Sequence, residues 1–293
     1  MTQKEMFDRL RKATEQAVPD VLDSVLASCE ERKGKVTLML KERLENKEKM
    51  VGMYVFMGGV GISRISALAG YDLLWLDSEH SYMSYESILR DIMAIRTTDT
   101  PVIVRVPQND LSATKKILEM GVDGIIFPMI RSREEADAAI KMVMYPAEGE
   151  RGFGPMNAMN YGYMGMKEYL EESKKICKFI QIEHMDAIEC LDKIMEIDAI
   201  DGYIFGPNDL SGSYGMLGDV FSDKITEVIK SAIAKLRSKG KYVAIASGGF
   251  TEEIIAHWSS FDPDMIIAGA DFDFLRDGAV RNRKNLEKIF KKI

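Results

Sequence analysis

The chain has 293 residues, 46% hydrophobic and 29% charged, an ordinary balance for a protein able to bury a large core. Its formal net charge of −7 argues against nucleic acid or an anionic membrane as the main partner. Three cysteines without CxxC spacing, a polar N-terminus and no long apolar run point to reduced thiols in the cytoplasm, without secretion signal, structural zinc or membrane span.

Residues 1–48 read as an N-terminal helical extension. Met6, Leu10, Ala13 and Ala17 recur at helical spacing. After Pro19, a residue suited to a first helical turn, Val21, Leu22, Val25, Leu26 and Cys29 form a second amphipathic face. TLMLKERLENKEK (37–49) suggests a third short helix.

Residues 49–293 follow a different rhythm. Short apolar runs at 50–57, 73–79, 101–107, 124–130, 177–183, 202–206, 241–247 and 265–271 read as strands, each followed by a segment of helical spacing. Glycines stand where helices should stop, at Gly70, Gly121 and Gly240. Eight strand–helix units in about 240 residues is the count and length of a (β/α)8 TIM barrel, in the α/β class. An open doubly wound sheet gives no reason for the number eight. One long insertion, YPAEGERGFGPMNAMNYGYMGMKEYL (145–170), follows a helix and so starts at the bottom of such a barrel. To affect chemistry it must climb to the other face or reach another subunit.

In a barrel of this kind the active face lies where the strands end, so polar residues at those positions are the candidates. The second strand ends in Asp77, Ser78, Glu79 and then His80. Imidazole is the usual acid or base near neutral pH, and Asp77 stands close enough to orient it. His184 and His257 read as side chains with other tasks. Arg105 lies within VIVRVP, where a guanidinium needs a partner. Two readings stay open for it: a salt bridge to a barrel carboxylate, or a clamp for a substrate carbonyl or carboxylate. Gln181 and Glu183 fall on one side of the fifth strand by period-two alternation. Asn208 and Asp209 follow the sixth, Ser247 the seventh, and Asp271 ends the eighth. Glu183 and Asp209 are therefore delivered side by side, either to a hard cation or to nearby backbone amides. No strand ends in lysine, which disfavours a Schiff-base mechanism.

Taken together, LDSEH (76–80), RVPQND (105–110), FPMI (127–130), YPAEGERGFG (145–154), QIE (181–183) and GPNDLSGSYG (206–215) resemble the HpcH/HpaI aldolase family. The resemblance runs in order through residues 36–285. It implies a metal-dependent aldolase that reversibly cleaves a 4-hydroxy-2-oxo acid to pyruvate and an aldehyde. It further implies that Glu183 and Asp209 ligate a divalent cation, Mg2+, Mn2+ or sometimes Co2+. His80, supported by Asp77, is the implied acid/base, and Arg105 the implied holder of the keto oxygen and enolate. Backbone amides around Asn208 and Asp209, with Gln181 nearby, are the implied seat of the pyruvate carboxylate. A homo-oligomer, typically a hexamer of dimers that exchange the last helix, is implied as well. Two departures from the pattern are visible: the first-strand loop GGVGISRIS is not serine-rich, and no arginine stands at Met156, Asn157 or Asn160. If that loop selects the aldehyde, the missing charge argues against a strongly acidic one. Alternatives to an aldolase are a lyase acting on a CoA thioester and a non-catalytic barrel that binds a keto acid.

Overall fold

The computed structural model describes residues 39–291. Eight parallel strands close into a barrel in sequence order, β1 pairing with both β2 and β8. They are β1 (Met50–Val55), β2 (Leu73–Asp77), β3 (Val102–Arg105), β4 (Gly124–Phe127), β5 (Cys177–Ile182), β6 (Gly202–Phe205), β7 (Val243–Ala246) and β8 (Met265–Ala270). The expected (β/α)8 architecture is thus the one observed. Among the described residues, no helix is long and apolar enough to cross a membrane.

Alternation along each strand builds two cores. Trp75, Ile103, Phe179, Ile204 and Ala244 point into the barrel. Leu74, Leu76, Val104, Ile180 and Phe205 point outward, against the helices. Glycine makes room where the interior is tightest: a Cβ on Gly202 would sit 2.7 Å from the Phe179 ring. The floor is closed by α1 (Leu40–Glu45), whose Leu40 and Leu44 join the inner core. Arg43 of that helix pairs with Asp72 at 2.8 Å, beside the start of β2. The third N-terminal helix is therefore present, while the two expected before it lie outside the described residues.

The outer layer comprises α2 (Val60–Leu68), α3 (Tyr85–Ile95), α4 (Leu111–Leu118), α5 (Arg133–Val143), α6 (Met166–Ser173), α7 (Met185–Glu189), α8 (Leu191–Ile194), α9 (Pro207–Ser213), α10 (Asp223–Ser238), α11 (Glu252–Ser259) and α12 (Asp271–Phe290). Two details differ from the sequence pattern. The segment of helical spacing that follows the fifth strand breaks into α7 and α8 at Cys190, whose φ of −100° and ψ of 13° leave the helical region. The glycine-rich stretch after β6 is not all loop. Pro207 sits in the first turn of α9, a position where its missing N–H costs nothing.

The 145–170 insertion holds a 3-10 turn (Asn157–Gly162) and then α6. Ala158 donates its N–H to Glu119 O (3.0 Å), and Asn157 Nδ2 donates to Met120 O (2.8 Å). The insertion is thereby tied to the α4–β4 turn, at the floor of its own barrel. Arg151 is buried within it, with its guanidinium 4.6 Å over the Tyr145 ring and Nη2 donating to Tyr169 Oη at 2.7 Å.

Candidate active site

The strand ends converge on one cavity of about 230 Å³ at the C-terminal mouth of the barrel, lined by His80, Arg105, Gln181, Glu183, Asn208 and Asp209 among others. Six of the seven residues to which the resemblance gives a role therefore share one cavity. Asp77, the seventh, lies just beneath, fully buried.

Asp77 organises the turn that carries His80. Its Oδ1 accepts the N–H groups of Glu79 (3.0 Å) and His80 (2.7 Å), a side-chain-closed turn typical of aspartate. The expected orientation of His80 by Asp77 is thus exerted through the backbone. The carboxylate's other oxygen pairs with Arg105 Nη2, its neighbour across the β2–β3 register. The His80 imidazole stands half in solvent, with Nε2 3.9 Å from Glu79 Oε2.

Arg105 is nearly buried and stands at the centre of a network. Its Nη1 pairs with Glu79 Oε2 at 2.8 Å and donates to Gln181 Oε1 at 3.3 Å. Its guanidinium carbon lies 5.3 Å over the Trp75 ring. The salt-bridge reading of this arginine is realised, and the side chain also faces the cavity. Glu79 was visible in the sequence only as one polar strand-end residue among several. Burial raises its pKa, and Arg105 opposes that shift.

The network continues from Gln181 Nε2 to Glu183 Oε2 at 2.7 Å. Glu183 Oε1 accepts the N–H of Met129 at 2.7 Å. Met129 aims that donor from a left-handed backbone (φ 53°), which is uncommon for a residue with a side chain. The sequence placed Met129 within the FPMI motif without giving it a role in the site. Opposite it, a Cβ on Gly206 would fall 2.5 Å from Glu183 Oε2, so only glycine admits the carboxylate there. Burial pushes the Glu183 carboxyl up to about 7, with the neighbouring Asp209 and Glu79 charges adding to it.

Neither Glu183 nor Asp209 has a salt-bridge partner among the described residues, although Arg105 lies in the same cavity. Two oxygen donors, one buried and one exposed on the first turn of α9, suit a hard divalent cation whose other positions go to water or substrate. The described residues offer no cluster of three or more His, Cys, Asp or Glu that would hold a metal by protein ligands alone.

The remaining polar strand ends have other work. Asp271 is buried and accepts the N–H groups of Phe56 (3.1 Å), Met57 (2.9 Å) and Gly58 (3.1 Å), fixing the loop after β1. His184 caps α7 by accepting the Asp186 N–H, and His257 packs among Phe221, Trp258 and Phe261. Lys178 lies at the start of β5, paired with Asp201 at 3.0 Å, and among the described residues no lysine lines the cavity.

Residues 51–252 match the HpcH/HpaI aldolase/citrate lyase family. A hydroxypyruvate/pyruvate aldolase from Pseudomonas aeruginosa is 29% identical over 86% of this chain and 92% of its own. A 2-keto-3-deoxy-L-rhamnonate aldolase from Escherichia coli K12 is 27% identical over 70% of this chain and 79% of its own. Among solved structures, an HpcH/HpaI aldolase from Desulfitobacterium hafniense superposes with a TM-score of 0.78 at 25% identity, covering 86% of this chain and 98% of that one. The sequence match extends from β1 to the start of α11 and takes in every element that lines the acidic side of the cavity, so the chain belongs to the HpcH/HpaI aldolase/citrate lyase family.

Proposed function

We propose that this protein is a carbon–carbon lyase of the pyruvate aldolase type, cleaving a 4-hydroxy-2-oxo acid to pyruvate and an aldehyde and catalysing the reverse condensation. The observation that carries the reading is the meeting of a base, a guanidinium and two carboxylates, His80, Arg105, Glu183 and Asp209, in one strand-end cavity. Relatives in two activity groups bear aldolase names, which favours this reading over a CoA-thioester lyase. A purely binding barrel has no need of the base.

Glu183 and Asp209 would hold a divalent cation, magnesium, manganese or cobalt. Bound there, such an ion polarises the keto group of the substrate and lowers the energy of the enolate. The chain's own groups do the rest. His80 takes the proton of the C4 hydroxyl; the O–H pair becomes the aldehyde carbonyl as the C3–C4 bond breaks. The electrons of that bond pass into the pyruvate enolate, whose oxygen is stabilised by Arg105. Glu79 and Asp77 hold Arg105 from behind, so the guanidinium does not have to reorganise as charge develops. The first-turn N–H groups of α9 at Asn208 and Asp209 lack intrahelical acceptors and receive the substrate carboxylate, with Gln181 alongside. A proton delivered to C3 completes pyruvate.

The protein works as a homo-oligomer in the cytoplasm on this reading. Leu275, Val280, Leu286, Ile289 and Phe290 leave α12 with an exposed apolar face, which supports self-association.

The test is pyruvate release from a panel of 4-hydroxy-2-oxo acids, with Mn2+, with chelator and with Glu183→Gln. Release that needs the metal and is lost in the variant is the expected result. Release that survives chelator and Glu183→Gln would remove the metal assignment, and no release from any substrate would remove the aldolase reading.

A further inference from the structure

The cavity has two unlike walls. In a closed eight-stranded barrel in sequence order, β1 and β5 stand four strands apart and face each other. The β5–β6 side carries Gln181, Glu183 and Asp209. The side formed by β8, β1 and β2 carries an aromatic series that climbs from the buried floor of the site to its rim. Trp75 lies under the Arg105 guanidinium, and its ring is 5.2 Å from Tyr54. Tyr54 is 5.7 Å from Phe56, and Phe56 is 5.7 Å from Phe272, the first two rings tilted at 41° and the last pair at 59°. Trp75 is fully buried, Tyr54 8% exposed and Phe272 40% exposed, so the series runs from interior to solvent. Between the walls, the ends of β7 and β8 contribute Ala246, Gly248, Gly269 and Ala270, small residues that leave room.

The charge balance of the lining is one-sided. Among the described residues Arg105 is the sole lysine or arginine lining the cavity, and Asp77 and Glu79 already pair with it. Asp273 adds a further carboxylate at the rim. Arg276, three residues further along α12, is held by Asp273 at 3.0 Å and by Asp277 at 2.9 Å. A second carboxylate on the substrate, beyond the one at the keto-acid end, therefore meets aromatic rings and acidic side chains. The 145–170 insertion is tied to the floor, so within its own chain it supplies no compensating charge.

We infer that the acceptor is an uncharged aldehyde with a flat apolar body, an aromatic aldehyde above all, seated against Phe56 and Phe272. The keto-acid end then lies against Arg105, Glu183 and Asp209, and the C4 substituent leaves along the aromatic wall toward solvent. This rests on the aldolase reading, which it deepens by naming the class of aldehyde. A carboxylated semialdehyde is disfavoured because each of its charges would be desolvated beside like charge. An aryl group gains offset or edge contacts with the wall that these two touching rings form.

The experiment uses the full chain with Mn2+ and pyruvate, and compares benzaldehyde, glycolaldehyde and succinic semialdehyde in the condensation direction. In parallel, exchange of the pyruvate methyl protons with D2O is followed by NMR without aldehyde. Exchange is expected, with kcat/KM for benzaldehyde at least about tenfold above that for succinic semialdehyde. Phe272→Ala is expected to lower the benzaldehyde-to-glycolaldehyde ratio of kcat/KM by about tenfold, the value of one lost apolar contact surface in a pocket. Methyl exchange together with a preference for succinic semialdehyde, no acceptance of benzaldehyde, or an unchanged ratio in Phe272→Ala would overturn the inference and leave the aldolase reading standing. Absence of methyl exchange would instead overturn the aldolase reading, and this inference with it.

Discussion

A buried guanidinium is costly unless it is paired, and Arg105 pairs through its two terminal nitrogens with two carboxylates from the end of β2 and an amide from β5. That arrangement makes it intolerant of its closest chemical relative. Lysine keeps the charge, but it lacks the planar fork that reaches Asp77, Glu79 and Gln181 together. Arg105→Lys is expected to reduce kcat for pyruvate release by about 10²–10³, the effect of losing one preorganised oxyanion donor. Steady-state kinetics on variant protein with unchanged far-UV circular dichroism checks this; a loss below tenfold would show that the guanidinium is structural only. Glu183 illustrates the same dependence on surroundings. Its backbone donor comes from Met129 in a left-handed conformation, and its space comes from the missing side chain of Gly206. Both neighbours lie in motifs visible in the sequence, but neither has side-chain chemistry of its own, so their service to Glu183 was not legible there.

The helices show how local signals set boundaries. Asp110 caps α4, accepting the N–H groups of Ser112 (2.8 Å) and Ala113 (3.0 Å). The Ala113 bond, first among several contributions, holds its carboxyl below the usual range. A depressed folded-state pKa gives stability that is present above the unfolded pKa and lost as pH falls through the folded one. Asp110→Ala is therefore expected to cost about 1 kcal/mol at pH 7, with the gap to the parent protein narrowing in acid. Urea denaturation of both proteins at pH 7 and at pH 3 reads it directly, and a gap that stays constant or widens in acid would contradict the capping account. Ser84 and Thr251 cap α3 and α11 in the same way. The break between α7 and α8 had no such local signal. Nothing around Cys190 in the sequence interrupts helical spacing, and the kink appears where its Sγ lies 3.1 Å from Arg131 O, a contact across 59 positions.

At the scale of the whole molecule, closure of the barrel through β1 and β8 is what brings residues as distant as His80, Asp209 and Phe272 to one mouth. The last helix stands apart from this economy of burial. Ile289 is 69% exposed and Phe290 77%, values expected of a surface that another copy covers. Ile289→Glu combined with Phe290→Glu is expected to lower the mass in solution without loss of secondary structure, as seen by light scattering after size-exclusion chromatography. An unchanged mass would remove this face of α12 as a subunit contact.

The eight-fold alternation of strand and helix was legible in the chain itself, because period-two and 3.6-residue patterns record which face of each element is buried. Strand-end chemistry was legible for the same reason. Once the strands are placed, parallel closure sends every strand end to one face, and Gln181 and Glu183 must point the same way. The aromatic wall was not legible. Tyr54, Trp75, Phe56 and Phe272 look like ordinary core residues until β1, β2 and β8 are joined in the circle. Nor did the sequence show that Asp77 would act on His80 through the peptide backbone, or that Glu79 and Asp77 would both pair with Arg105. Hydrophobic periodicity fixes the direction in which a side chain leaves its own strand. Which side chain it then meets depends on register and closure between segments far apart in the chain, and only the tertiary structure decides that.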